Sequence, residues 1–185
     1  MKKNILQRMY GFFGARWYDP FQKIWGPKTE VEDAFVSKLR AFSSKDTKVL
    51  DLGCGTGENF RRLKENHIPF KEYTGVDMTV EMLAQAKKKF PQACFIQGNV
   101  ETIKGEYDLI ISSWLFEHLT PNQRKDLLNR KAKHLHMYLG GRESYNLLLK
   151  LFAYLFHFKY VNDKELQGKK TRYSVATTIL ESEKI

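Results

Sequence analysis

The sequence predicts an α/β fold, a doubly wound and mostly parallel sheet with helices on both faces, and three observations carry that expectation. Short apolar runs of strand length alternate with segments of helical spacing, the pattern of a parallel sheet covered by helices. The first such run leads straight into three glycines at alternate positions, Gly53, Gly55 and Gly57. The second ends on an acid, Asp77, twenty residues beyond Gly57.

Size and composition narrow the class. A chain of 185 residues fits one domain with one hydrophobic core. Hydrophobic residues at 42% and charged residues at 28% are ordinary globular values, which excludes a chain disordered throughout. Cys54 and Cys94 are too few and too far apart for a disulfide framework or a four-ligand zinc site, and no metal is expected. Gln7, Arg8, Arg16 and Asp19 interrupt any signal-like apolar stretch after Met1-Lys2-Lys3, and no run reaches the roughly 20 apolar residues of a membrane span. A cytoplasmic location without a transmembrane segment is the expectation. The net charge of +10 would favour nucleic acid, anionic headgroups or an acidic substrate. Its basic residues are scattered over the N-terminal arm (Lys2, Lys3, Arg8, Arg16), Lys87-Lys88-Lys89, Arg124 to Lys133, and Lys169-Lys170 with Arg172, which reads as solvated helix faces rather than one binding patch.

In chain order, residues 1–28 mix aromatics (Tyr10, Phe12, Phe13, Trp17, Tyr18, Phe21, Trp25) with glycine and proline breaks, and read as an arm that packs on the domain. Val31, Phe35, Val36, Leu39 and Phe42 fall on one face of a helix over Thr29–Phe42, which Thr29 can cap. Residues 1–44 are thus expected to form an arm and a helix, and residues 45–185 the domain proper. Strands are expected at Lys48–Leu52, Tyr73–Asp77, Cys94–Gln97 and Tyr107–Ser112. Helices are expected at Glu58–Glu65, Val80–Phe90 and Pro121–Met137. His134 and His136 then sit near the end of a basic helix as surface histidines that respond to pH. Leu147–Phe158 carries Lys150 and His157 and is too short to span a membrane, so it reads as a core or docking helix, or as part of an apolar lid. A last strand is expected at Ser174–Glu181. The short interval after Tyr160–Asp163 leaves little room for a sixth strand, and an abbreviated C-terminal half is expected.

The glycine loop carries the strongest chemical signal. In Val49-Leu50-Asp51-Leu52-Gly53-Cys54-Gly55-Thr56-Gly57, glycine allows a sharp turn with positive φ and lets a ligand touch the main chain where a Cβ would block it. A dinucleotide fingerprint needs its third glycine one position later, where this chain has Glu58. That carboxylate at the start of a helix would repel a pyrophosphate. A ligand with no phosphates and a cationic centre suits the loop better, and S-adenosylmethionine has both properties. Asp77 stands where an acid at the end of the second strand accepts hydrogen bonds from both ribose hydroxyls of a nucleoside, a role compatible with the alternative of capping the following helix.

These nine residues resemble motif I of the class I S-adenosylmethionine-dependent methyltransferases. The resemblance extends over residues 45–141, with Gly75-Val76-Asp77-Met78, Gly98-Asn99-Val100-Glu101 and Tyr107 to Leu119 in the family's order and spacing. It implies a Rossmann-like sheet, S-adenosyl-L-methionine as cofactor and S-adenosyl-L-homocysteine as product. It also implies a cofactor site built from Asp51, Gly53, Cys54, Gly55, Gly57, Asp77, Met78, Asn99, Val100 and Ser112, in which Met78 flanks the adenine and Asn99 and the Val100 N–H read its edge. His118, in the loop facing the methyl group, is the candidate general base, its alternative being a polar residue at a helix start. Tyr18-Asp19 and Phe116-Glu117-His118-Leu119 look most like small-molecule methyltransferases such as those of ubiquinone and menaquinone biosynthesis. The acceptor is therefore expected to be a small or lipid-like molecule. An RNA or protein acceptor, or a non-catalytic module that only binds the cofactor, are the alternatives. The chain departs from the family at Tyr138-Leu139-Gly140-Gly141, where a proline is missing and a polar Arg142-Glu143-Ser144-Tyr145 stands in place of an apolar fifth strand.

Overall fold

The computed structural model describes residues 29–139, 166, 168–172 and 177–184. The aromatic arm, Leu147–Phe158 and Tyr160–Asp163 lie outside the described residues. The elements run α1 (Thr29–Phe42), β1 (Lys48–Leu52), α2 (Glu58–Glu65), β2 (Glu72–Asp77), α3 (Val80–Lys89), β3 (Cys94–Gln97) and β4 (Leu109–Ser113). A 3-10 turn (Phe116–His118), α4 (Pro121–Leu128), β5 (Ala132–Leu139), β6 (Lys169–Arg172) and β7 (Thr177–Lys184) follow.

The strands form one seven-stranded sheet in the order β3-β2-β1-β4-β5-β7-β6. From β3 to β5 all neighbours are parallel, and β7 runs antiparallel between β5 and β6. The order reverses between β1 and β4, and in open α/β sheets a crevice opens beyond the strand carboxyl ends at such a switch point.

Period-two alternation sorts the strand side chains between two cores. Val49, Leu109, Ile111, Leu135 and Met137 face α1, α2 and α3 through Phe35, Leu39, Phe60, Leu63 and Leu83. Leu50, Leu52, Ile110, Tyr138 and Leu180 face the other way, against Phe116, Leu127 and Leu128. Helices thus cover both faces, as expected. Full burial of each such side chain is worth about 1.5–3 kcal/mol. The expected stripe on α1 is the buried one, since Val31, Phe35, Val36 and Leu39 all lie in the core. An ion pair ties this helix to the next, because Arg62 on α2 grips Glu32 on α1 with two charge-assisted bonds of 2.6 and 2.9 Å.

Four expectations change. The helix expected over Pro121–Met137 is two elements, with α4 ending at Leu128 and β5 beginning at Ala132. Asn129 is its C-cap. The fifth strand is therefore Ala132–Leu139 and not the polar stretch after Gly140. His134 and His136 are not surface residues on a helix, since both are wholly buried in that strand. A central strand is apolar on both faces, and here two histidines hidden by mutual hydrogen bonding break the apolar run that would have marked it. Finally, a sixth strand does exist, four residues long, and the last strand lies at Thr177–Lys184 rather than Ser174–Glu181. Among the described residues no helix is long and apolar enough to cross a membrane.

Candidate active site

β1, β2, β3 and β4 end side by side, and the turns that follow them form the lip of the crevice. The glycine loop lies over β2, its Gly53 and Cys54 N–H groups both donating to the Val76 carbonyl at 2.8 and 3.0 Å. Gly53, Gly55 and Gly57 all adopt positive φ, at 67°, 53° and 89°. Their surroundings differ. A Cβ on Gly57 would sit 2.9 Å from the Phe90 ring and one on Gly53 3.1 Å from Leu115, whereas one on Gly55 would meet nothing within 4 Å. Gly55 therefore presents bare backbone to open space, the condition for close approach of a ligand.

Asp77 closes this lip. Its Oδ2 accepts the Gly55 N–H at 2.9 Å and its Oδ1 the Thr79 N–H at 2.8 Å, at the start of α3. The carboxylate thus ties the glycine loop to the turn before α3, whose N-cap is Thr79 and not Asp77. Burial pushes the Asp77 carboxyl above its usual range, and hydrogen bonds from the Thr79, Gly55 and Met78 N–H groups and the Thr79 side chain oppose that shift. Met78, Asn99 and Val100 stand at the same edge, partly exposed. Asn99 shapes its own turn, with Oδ1 accepting the Glu101 N–H at 3.2 Å and Nδ2 donating to the Glu101 carboxylate at 2.9 Å.

The other candidate residues face elsewhere. Asp51 is wholly buried on the α2 side, where Oδ1 accepts from Asn59 Nδ2 at 2.8 Å and Oδ2 from the Tyr73 hydroxyl at 2.6 Å. Burial is the largest influence on its carboxyl and raises it to about 7. Cys54 is buried against Gly75, and burial pushes its thiol well above the ordinary range, which leaves it without nucleophilic character. Ser112 is buried beneath the sheet and meets His136 Nδ1 at 2.8 Å. His118 stands partly buried on the 3-10 turn, its backbone N–H donating to the Leu115 carbonyl at 2.9 Å. The structure thus brings Gly53, Gly55, Asp77, Met78, Asn99 and Val100 to one edge and sets Asp51, Cys54 and Ser112 behind it.

A polar network missed in the sequence supports this edge. Asn59 Oδ1 accepts from Arg62 at 2.7 Å and from Ser113 Oγ at 2.9 Å, and Asn59 in turn donates to Asp51. Between the glycine loop, Glu58, Asn59 and Arg62 on α2, and Ser113-Trp114 lies a narrow cavity of about 10 Å³, room for one water-sized guest. Trp114 has φ 61° and a buried indole nitrogen with no hydrogen-bond partner among the described residues. Such a buried donor costs about 1–3 kcal/mol. Only Trp114 itself was legible, as a member of the loop after β4; its conformation and its orphaned donor have no sequence signature. A wider hollow of about 590 Å³, bordered by Phe42, Thr47, Asp108 and Lys133, lies at the amino ends of the strands, the wrong edge for a ligand of this fold.

The geometry meets what the comparisons find. The methyltransferase-domain family matches residues 49–137, the span from β1 through β5 on which the whole crevice stands. Residues 49–137 thus resemble a methyltransferase domain. The chain is 36% identical over 89 residues to a trans-aconitate 2-methyltransferase of Deinococcus radiodurans, covering 48% of this chain and 33% of that one. It is 27% identical over 140 residues to a malonyl-[acyl-carrier protein] O-methyltransferase of Paenibacillus, covering 69% and 50%. The chain thus spans about a third to a half of the length of these curated relatives. Among solved structures, the magnesium protoporphyrin IX methyltransferase of Synechocystis with bound S-adenosylmethionine superposes with a TM-score of 0.68 at 15% identity, covering 100% of this chain and 98% of that chain. That likeness establishes the fold.

Proposed function

We propose that this chain transfers a methyl group from S-adenosylmethionine to a small-molecule or lipid-like acceptor. The observation that carries the reading is the glycine loop folded over β2 with bare backbone at Gly55 and the Asp77 carboxylate at its lip. Asp77 accepts hydrogen bonds from the ribose hydroxyls. Met78, Asn99 and the Val100 N–H take the adenine, and the main chain of Gly53, Cys54 and Gly55 faces the amino-acid tail. Asp51 and Ser112 act from behind, by holding β1, α2 and β4 in place. Trans-aconitate, the acceptor named for one relative, supports a small acceptor.

The cofactor supplies a methyl group on a sulfonium, already activated for displacement. What remains for the protein is alignment and the exclusion of water. The Ser113-to-His118 loop borders the crevice from the β4 side, where His118 is the candidate base for an acceptor that carries a proton.

Calorimetric titration with S-adenosylmethionine and S-adenosylhomocysteine tests this reading. The wild-type chain is expected to bind both, and Asp77→Ala to weaken each by about tenfold or more, the loss of hydrogen bonds to a charged group. Absence of binding at millimolar ligand overturns it. The net charge of +10 favours RNA as a second acceptor class, and that reading requires RNA affinity that falls steeply with salt.

A further inference from the structure

Trp114 follows β4 in the left-handed region, at φ 61°, a conformation that a bulky side chain adopts only where its surroundings impose it. Here they do so from three directions. The Trp114 N–H donates to the Met137 carbonyl at 2.8 Å. On the α2 side, Ser113 Oγ donates to Asn59 Oδ1 at 2.9 Å. On the opposite face, Ser112 Oγ meets His136 Nδ1 at 2.8 Å, His136 Nε2 meets His134 Nδ1 at 3.4 Å, and His134 Nε2 meets the Arg130 carbonyl at 2.9 Å. A carbonyl only accepts, so with both rings neutral the protons fall in one order: Ser112 donates to His136, His136 to His134, and His134 to Arg130. Burial holds His136 well below its usual pKa, in keeping with a neutral ring. Phe116 packs over that ring with centroids 4.6 Å apart.

Held in this way, Trp114 borders the narrow cavity beside Gly53 and α2. Its indole N–H is a donor only, is buried, and donates to nothing among the described residues. The groups around it are engaged with one another. Arg62 is committed to Glu32 and Asn59, Glu58 to Arg61, and Asn59 to Asp51. One donor is left over in a site whose other polar groups are satisfied, and the residue that carries it is strained into position.

We propose that Trp114 is a ligand-binding residue whose indole N–H donates to a carboxylate oxygen of the bound ligand, with Ser112 and His136 as the positioning residues that hold it there. This rests on the methyltransferase reading, and the carboxylate has two sources, the amino-acid tail of the cofactor or an acidic acceptor. Trp114→Phe keeps the ring and removes the donor. Wild type and variant are titrated with S-adenosylhomocysteine, with 5′-deoxy-5′-methylthioadenosine, which lacks the tail, and with succinate in the presence of S-adenosylhomocysteine. If the tail is the partner, the variant loses about tenfold in affinity for S-adenosylhomocysteine and none for methylthioadenosine. If an acidic acceptor is the partner, only succinate binding weakens. Unchanged binding of methylthioadenosine shows in either case that the variant is folded. A Trp114→Phe chain that matches wild type with both carboxylate ligands overturns the proposal. A wild-type chain that binds neither nucleoside overturns the methyltransferase reading instead, and this inference with it. For the positioning part, His136→Phe is expected to weaken the same ligand as Trp114→Phe, and His136→Asn, whose amide oxygen can accept from Ser112, to restore it. Equal affinity in both His136 variants removes the positioning role.

Discussion

Asp51 shows how one residue can be legible in a motif and yet serve another end. Its place before the glycine loop marks it as part of the site, but its carboxylate is buried between Asn59 and Tyr73. Arg62, the nearest cation, already has its charge matched by Glu32, so burial prevails and the carboxyl titrates near 7 against 3.8 when exposed. Between those values the folded chain holds a proton that the unfolded chain has released, so this group's contribution to stability is lost as pH rises from about 4 through 7. Asp77 is shifted in the same direction. Asp51→Asn is expected to flatten the decline in stability between about pH 4 and pH 7, measured as urea midpoints of the two proteins. An equal slope in both contradicts the assignment. The sequence placed Asp51 correctly in the chain but not its direction, because strand alternation decides which face a side chain takes and the facing helix decides what it meets.

The elements were readable where local chemistry marks them. Thr120-Pro121-Asn122-Gln123 forms a capping box at the start of α4, the Thr120 hydroxyl accepting the Gln123 N–H while Gln123 accepts the Thr120 N–H. Thr120→Ala is expected to cost about 1 kcal/mol and to lower the thermal midpoint by about 2–4 °C; no shift would mean that the tertiary packing of Leu127 and Leu128 alone holds the helix. Its far end was hidden. Arg130 and Lys131 continue the basic composition of α4 into β5, and the polar His134 and His136 mask the strand. Only the pairing of β5 with β4 and β7 identifies it, since hydrogen bonds between strands distant in sequence leave no local pattern.

For the whole molecule, the sheet beyond β5 is the consequential part. β7 pairs with β5 over eight residues, from Ala132↔Lys184 to Leu139↔Thr177, and buries Ile179 and Leu180. A chain cut after Leu139 is expected to lose its cooperative urea transition and to aggregate through the bared edge of β5. A sharp transition in the cut chain would show instead that β1 to β5 suffice. By itself the sequence determined the α/β class, the helix α1, the strands β1 to β4 and the glycine loop with Asp77, because each rests on short-range periodicity or on backbone freedom at single residues. Tertiary structure alone decided that Asp51 and Ser112 turn away from the crevice, that two histidines lie buried in a central strand, and that Trp114 is strained beside a cavity with its donor unused among the described residues. Those outcomes depend on which distant residue lies opposite, and that is set by the packing of strands and helices far apart in the chain.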